Sequence, residues 1–234
     1  MENQVSYAVI LPAGGLGKRM GGSTPKQLLP LGNKLVYQYS LETFLSFDEI
    51  SEIVLAVPAD WFSFFQEELR TKYNNNKKIK IILGGSERYL SVKNGLFALT
   101  TNPEFILVHD TARPFISEEI ILRLFKTLKE KGSCIVAKPC TDTVKIATTE
   151  TVEKTIDRNT VWLAQTPQCT KTELLKNLYQ KLEKENTDFL PTDEASILEH
   201  FNEPVFIVQG NILNDKLTTP EDFKLAEEKL KLKF

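Results

Sequence analysis

The chain has 234 residues, 41% hydrophobic and 26% charged, with a formal net charge of −2. That length holds a sizeable core in a single α/β domain spanning 1–234, and the near-neutral balance argues against a nucleic-acid or membrane-surface binder. Three cysteines without a CxxC pair read as reduced thiols, two histidines leave little for a His/Cys metal centre, and no apolar run approaches the roughly 18 residues of a membrane helix. With no basic leader in "MENQVSYAVIL", a cytoplasmic location is expected.

Along the chain, short apolar β-branched runs alternate with amphipathic segments of helical length. The first run, Val5–Leu11, reads as a strand and leads into "LPAGGLGKRMGGSTPKQ", Leu11–Gln27. This segment looks like a phosphate loop yet fits neither common template. A dinucleotide fingerprint started at Gly15 meets Met20 where glycine is needed, and a P-loop ending at Gly17-Lys18 meets Pro12 and Arg19 at required positions. From Asn3 to Leu41 there is no acidic residue, while Lys18, Arg19, Lys26 and Lys34 all fall there. Gly14, Gly15 and Gly17 let backbone N–H groups approach an anion. The segment is therefore an anion site for a small ligand, or a chance cluster of solvated cations.

Next come a helix over Leu35–Phe44, a strand over Ile53–Val57, a helix over Asp60–Tyr73 and a strand over Ile79–Leu83. The Gly84-Gly85 pair then turns the chain into a helix over Tyr89–Leu99, with Ser91 near its start; such a pair also serves as a plain turn. The fourth strand, Phe105–His109, runs into "HDTARP". Asp110 at a strand's carboxyl end, beside a phosphate loop, is a natural Mg²⁺ ligand, since that ion takes hard oxygen donors; the alternative is a helix cap or a turn residue. Arg113 is its nearest counter-charge in sequence, placed to lock Asp110 or to hold the loop. A helix over Glu118–Glu130 and a strand over Ser133–Lys138 follow.

The segment Thr141–Asp157 breaks the alternation. Two β-branched runs, Thr143–Ala147 and Val152–Ile156, flank "TTET" with few large apolar residues. They make an edge hairpin, or an arm projecting onto a partner subunit. Helices over Lys171–Glu185 and Asp193–Phe201 and a strand over Pro204–Val208 precede the last helix. That helix opens with Thr219 as N-cap and Pro220 at its first position. Strands separated by helices predict a Rossmann-like α/β fold: a mostly parallel sheet with helices on both faces. Its ligands bind beyond the strands' carboxyl ends, which is where the polar signatures fall.

No covalent nucleophile presents itself: there is no G-x-S-x-G elbow and no Cys with a His and acid partner. Phosphoryl or nucleotidyl transfer fits that absence. A phosphate oxygen already lacks its proton, so the protein needs only to align polyanions and stabilise the phosphorus centre with Lys, Arg and Mg²⁺. A dehydrogenase reading needs an acid closing the second strand. Glu42 has the spacing but falls in a helix pattern. A non-catalytic nucleotide-binding module accounts for the loop alone.

The pieces "PAGGLGKRM", "PKQ", "GGSERYLSV", "VHDTARP", "TDTVK", "DRNTVW", "QTPQ", "TDEASILE" and "KLTTPEDFKLAE" together resemble, in order and spacing, the CTP:polyol-phosphate nucleotidyltransferase family. "TDEASILE" is more similar to members that act on methylerythritol phosphate than to those that take ribitol 5-phosphate. The resemblance implies Mg²⁺-dependent attack of the polyol phosphate on the α-phosphorus of CTP, releasing pyrophosphate. It implies that Ala13, Gly14, Gly15, Gly17 and Lys26 hold the CTP phosphates, with Gly85 and Ser91 near the cytidine. Arg19 and Lys26 would stabilise the pentacoordinate transition state, and Asp110 would bind Mg²⁺. Thr143, Arg158, Thr166, Thr192 and Lys216 would surround the acceptor, with Arg158 and Lys216 aiming its phosphate. The 141–157 hairpin would be a dimerisation arm reaching a homodimer partner. Two departures from the family pattern are Thr111, where alanine is usual, and Asp215, where an apolar residue is common.

Overall fold

A computed structural model describes residues 5–14, 24–185 and 188–231. In chain order the first elements are β1 (Tyr7–Pro12), β2 (Pro30–Leu31), β3 (Lys34–Leu35), α1 (Val36–Leu45), β4 (Ile50–Val57), α2 (Phe62–Lys72), β5 (Ile79–Leu83) and α3 (Arg88–Phe97). There follow β6 (Phe105–Val108), α4 (Glu118–Lys131), β7 (Ser133–Pro139), β8 (Val144–Ala147), β9 (Val152–Ile156) and β10 (Trp162–Lys171). The chain continues through α5 (Thr172–Lys184), α6 (Glu194–His200), β11 (Phe206–Gln209) and α7 (Pro220–Lys231).

Seven strands form one sheet in the order β11-β7-β10-β6-β1-β4-β5. The β5-β4-β1-β6 half is parallel throughout, and β11 is parallel to β7. Both faces are covered, as β1 illustrates. Tyr7, Val9 and Leu11 join one core cluster with Phe44, Phe65, Leu124 and Phe125. Ala8 and Ile10 join another with Val92, Leu96, Leu175 and Ile197. Side chains two apart share a face, so a strand buried on both faces reads as the unbroken apolar run "YAVIL". A third cluster, Leu31, Val36, Leu217 and Ala226, seats α7 beside the β2–β3 pair.

Local chemistry sets the helix limits. In α4 the Ser117 hydroxyl accepts from the Ile120 N–H, and Glu118 and Glu119 occupy the first turn. Lys129 and Lys131 close the helix, and Gly132 ends it at φ 84°, which only glycine adopts at little cost. α6 is opened by Asp193, whose carboxylate accepts from the Ser196 N–H.

The expectation of a Rossmann-like, mostly parallel sheet holds, with one further strand that the sequence pattern does not mark. The sheet is mixed, because β10 runs antiparallel to both β6 and β7. Its sequence "WLAQTPQCTK" shows no apolar alternation and contains a proline, so no strand is expected there. Its inward residues Gln165, Thr166, Gln168 and Thr170 are polar and buried. Gln168 shows why: its amide donates to Asp193 Oδ2 at 2.8 Å and its carbonyl accepts from the Ala195 N–H at 2.8 Å, holding the start of α6. β8 and β9 pair only with each other, as an exposed two-stranded sheet.

Candidate functional site

Beyond the carboxyl ends of β1, β5 and β6 lies a cleft of about 400 Å³, lined among others by Gly14, Lys26, Gly85, Arg88, Ser91, Asp110 and Lys216. After β5 the Gly84 N–H donates to the Val57 carbonyl at 2.8 Å, and the Gly85 N–H donates to Ser91 Oγ at 3.0 Å. A Cβ on Gly85 would stand 2.4 Å from Leu90 Cβ, so this turn closes onto α3 only with glycine. A Cβ on Gly14 would face Ser91 Oγ at 3.7 Å, which puts the two glycine segments on either side of one buried hydroxyl.

Lys26 follows Pro25 in a single 3-10 turn, and its ammonium donates to the Leu217 carbonyl at 2.9 Å. The Gln27 side chain donates to the Ala13 carbonyl and fastens this turn to the end of β1. At the end of β6, Asp110 is buried and held by two cations. Arg88 Nε lies 2.9 Å from Oδ1 and Lys216 Nζ lies 2.7 Å from Oδ2. These cations hold its carboxyl well below the usual carboxylate range, against the cost of burial. Arg88 also forks onto Glu194 at 2.9 and 3.0 Å. Burial pushes the Glu194 carboxyl up while the guanidinium pulls it down.

Arg88 and Lys216 are therefore the cations paired with Asp110, and Arg113 makes no ion pair with it. The Arg113 guanidinium instead donates to the Asn214 carbonyl at 2.9 Å, so it holds the segment leading to Lys216. The two departures from the family pattern are also accounted for. The Thr111 hydroxyl donates to the Pro12 carbonyl at 3.1 Å, tying the ends of β6 and β1. Asp215 takes Lys138 at 2.7 Å and the Gln165 amide at 2.9 Å, anchoring the segment beside Lys216.

Of the residues singled out from sequence, Gly14, Lys26, Gly85, Ser91, Asp110 and Lys216 line the cleft. Ala13 is buried beneath it, its N–H donating to the Ala56 carbonyl. Thr166 is also buried, with Oγ1 accepting from the Asp110 N–H at 3.0 Å. Thr143, Arg158 and Thr192 are exposed and do not line the cleft, and Arg158 donates to the Thr141 carbonyl at the base of the hairpin. Gly15, Gly17, Lys18 and Arg19 lie outside the described residues. Sequence reasoning missed Arg88 and Glu194. Both stand inside quoted stretches, "GGSERYLSV" and "TDEASILE", but nothing in a chain pairs two residues 106 positions apart.

Among the described residues no cluster of three or more His, Cys, Asp or Glu side chains is placed to hold a metal ion by itself. The Asp110 carboxylate in this cleft nevertheless suits Mg²⁺, which is commonly held by one or two carboxylates plus substrate phosphates. The arrangement can bind a polyanion against Lys26 and Lys216. The Ser91 hydroxyl in this cleft is already hydrogen-bonded to the Glu87 carbonyl.

Residues 7–231 match the sequence profile of the family described as IspD, 2-C-methyl-D-erythritol 4-phosphate cytidylyltransferase. The enzyme of that name from Clostridioides difficile is 38% identical over 226 residues, 97% of this chain and 94% of the relative. The crystal structure of 4-diphosphocytidyl-2C-methyl-D-erythritol synthase from Anaerococcus prevotii superposes with a TM-score of 0.85 at 31% identity, covering 98% of this chain and 97% of that one. The 2-C-methyl-D-erythritol 4-phosphate cytidylyltransferase of Francisella tularensis superposes with a TM-score of 0.81 at 32% identity, over 96% and 99% of the two chains.

Proposed function

Because the chain belongs to the 2-C-methyl-D-erythritol 4-phosphate cytidylyltransferase family, we propose that it transfers the cytidylyl group of CTP to 2-C-methyl-D-erythritol 4-phosphate in non-mevalonate isoprenoid precursor synthesis. A phosphate oxygen of the polyol attacks the α-phosphorus of CTP, a new P–O–P link forms, and pyrophosphate leaves with the electron pair of the broken bond. The observation that carries this reading is the cleft itself. Gly14, the Gly84-Gly85 turn, Lys26, Lys216 and Asp110 meet in one anion-sized space within a chain that matches the family nearly end to end.

The attacking oxygen is already anionic, so no general base is required. Gly14 and Gly85 admit the nucleotide close to the backbone, with Ser91 fixing the turn next to it. Lys26 and Arg19 stabilise charge gathering on the phosphorus centre, Lys216 and Arg158 direct the acceptor phosphate, and Thr143, Thr166 and Thr192 belong to the acceptor side. Mg²⁺ bound at Asp110 would neutralise the triphosphate and the departing pyrophosphate. In this reading the exposed β8–β9 hairpin is a dimerisation arm, and Arg158 and Thr143 at its base serve the site of the partner subunit. Their exposure away from the chain's own cleft supports that role. Among the described residues no helix is long and apolar enough to cross a membrane.

The test is pyrophosphate release from CTP with methylerythritol 4-phosphate or ribitol 5-phosphate, with and without Mg²⁺. Release with the first acceptor only, and only with the metal, is expected. Release with ribitol 5-phosphate alone would reassign the acceptor, and no release with either would overturn the reading.

A further inference from the structure

His109 and Asn214 play no part in the chemistry above, yet both are fully buried beside it, each at 0% exposure. They belong to a closed ring of four hydrogen bonds. His109 Nε2 meets the Arg113 carbonyl at 3.0 Å, and the Arg113 guanidinium donates to the Asn214 carbonyl at 2.9 Å. The Asn214 amide donates to the Thr166 carbonyl at 2.8 Å, and Thr166 Oγ1 returns to His109 Nδ1 at 3.1 Å. The ring ties the end of β6, the middle of β10 and the segment before α7. Three distant stretches of chain are thereby fixed against one another.

Two charged groups of the cleft, Asp110 and Lys216, hang from this ring. Asp110 follows His109 directly and donates its N–H to Thr166 Oγ1 at 3.0 Å, while Lys216 lies two residues after Asn214. Their side chains meet at 2.7 Å. The donor pattern also fixes the imidazole. A carbonyl can only accept, so Nε2 carries the hydrogen. The Thr166 hydroxyl then turns its own hydrogen to a bare Nδ1 while accepting from Asp110.

We propose that His109 and Asn214 are positioning residues of the transfer reaction, and that their closed ring sets Lys216 at its working distance from Asp110. The assignment rests on the cytidylyl transfer proposed above. His109→Gln keeps a donor for the Arg113 carbonyl and loses Thr166, whereas Asn214→Ser loses the Thr166 carbonyl. Neither residue lines the cleft, so each variant lowers kcat by about tenfold to a hundredfold, the effect of a misplacement of about an ångström, with KM for CTP nearly unchanged.

The double variant separates positioning from packing. Once the ring is open a second opening adds little, so the double variant should match the worse single one. Losses that multiply, or singles with near-parental kcat, would overturn the proposal. Should the variants not fold, ¹⁵N NMR of the unsubstituted protein at pH 7 reads the imidazole directly. A bare Nδ1 and a protonated Nε2 are expected, and a protonated Nδ1 would overturn the ring. Absence of turnover in the unsubstituted chain defeats the transfer reading instead, and leaves the NMR result standing.

Discussion

Arg88→Met removes three charge-assisted hydrogen bonds of 2.9, 2.9 and 3.0 Å at once, from a guanidinium shared by two buried carboxylates. Asp110 keeps Lys216. Glu194, only 1% exposed, keeps no ion pair among the described residues. Stranding one buried charge costs about 3–5 kcal/mol, a large part of a typical folding free energy of roughly 5–15 kcal/mol. The loss should depend on pH. Burial raises the Glu194 carboxyl above its ordinary value even with Arg88 present, and further without it. A group raised in the folded state stabilises below its unfolded pKa, and that stability is lost as pH rises through the folded value. The variant is therefore more damaged at pH 7 than at pH 5. Arg88→Met combined with Glu194→Met removes both charges, and replacing a whole buried pair by apolar groups is often close to neutral, so most of the stability returns. Turnover stays low, because Asp110 still lacks one of its two partners. Urea unfolding at both pH values, beside pyrophosphate release, reads these effects. A single variant within about 1 kcal/mol of the parent at pH 7, or a double variant no more stable than the single, would refute the reasoning.

Acidification acts through His109, which burial lowers from its ordinary value to about 4. Its neutral form is favoured in the fold, so stability is full above about pH 6.5. It falls by about 2 kcal/mol between pH 7 and 5, as the unfolded imidazole gains a proton that the folded one refuses. His109→Gln should lack that increment in urea unfolding; equal slopes for both proteins would contradict it. Gly85→Ala places a methyl 2.4 Å from Leu90 Cβ. Overpacking of that kind costs about 1–3 kcal/mol, and calorimetry together with a raised KM for CTP would register the displaced turn. Lys216→Ala removes the acceptor-side cation and should lower kcat by about a hundredfold or more, with CTP binding nearly intact; unchanged kcat would release Lys216 from its role.

Much of the frame is legible in the chain because its causes are local. A strand buried on both faces must be apolar at every position, as "YAVIL" is, and a helix such as α4 carries its own caps at Ser117 and Gly132. The hairpin is legible because β-branched residues with little to bury still favour extended backbone. β10 was invisible for the converse reason. Its inward side chains are glutamines and threonines whose partners, Asp193, Ala195, Asn214 and Asp110, come from other elements, so no periodic signal marks the strand.

The site divides along the same line. Glycine turns and cations after strand ends need only the neighbouring sequence, which points to Gly14, Lys26, Gly85, Ser91 and Asp110, whereas Lys216 enters only through the family resemblance. The pairing of charges is a matter of distance in space. Arg113, three residues from Asp110, turns to the Asn214 carbonyl, while Arg88, twenty-two residues away, takes the carboxylate together with Glu194 from α6. Local composition places the charged groups along the chain. The packing of β6, α3, α6 and the segment before α7 against one another chooses the partners, because ion pairs and hydrogen bonds fall off over a few ångströms whatever the separation in sequence.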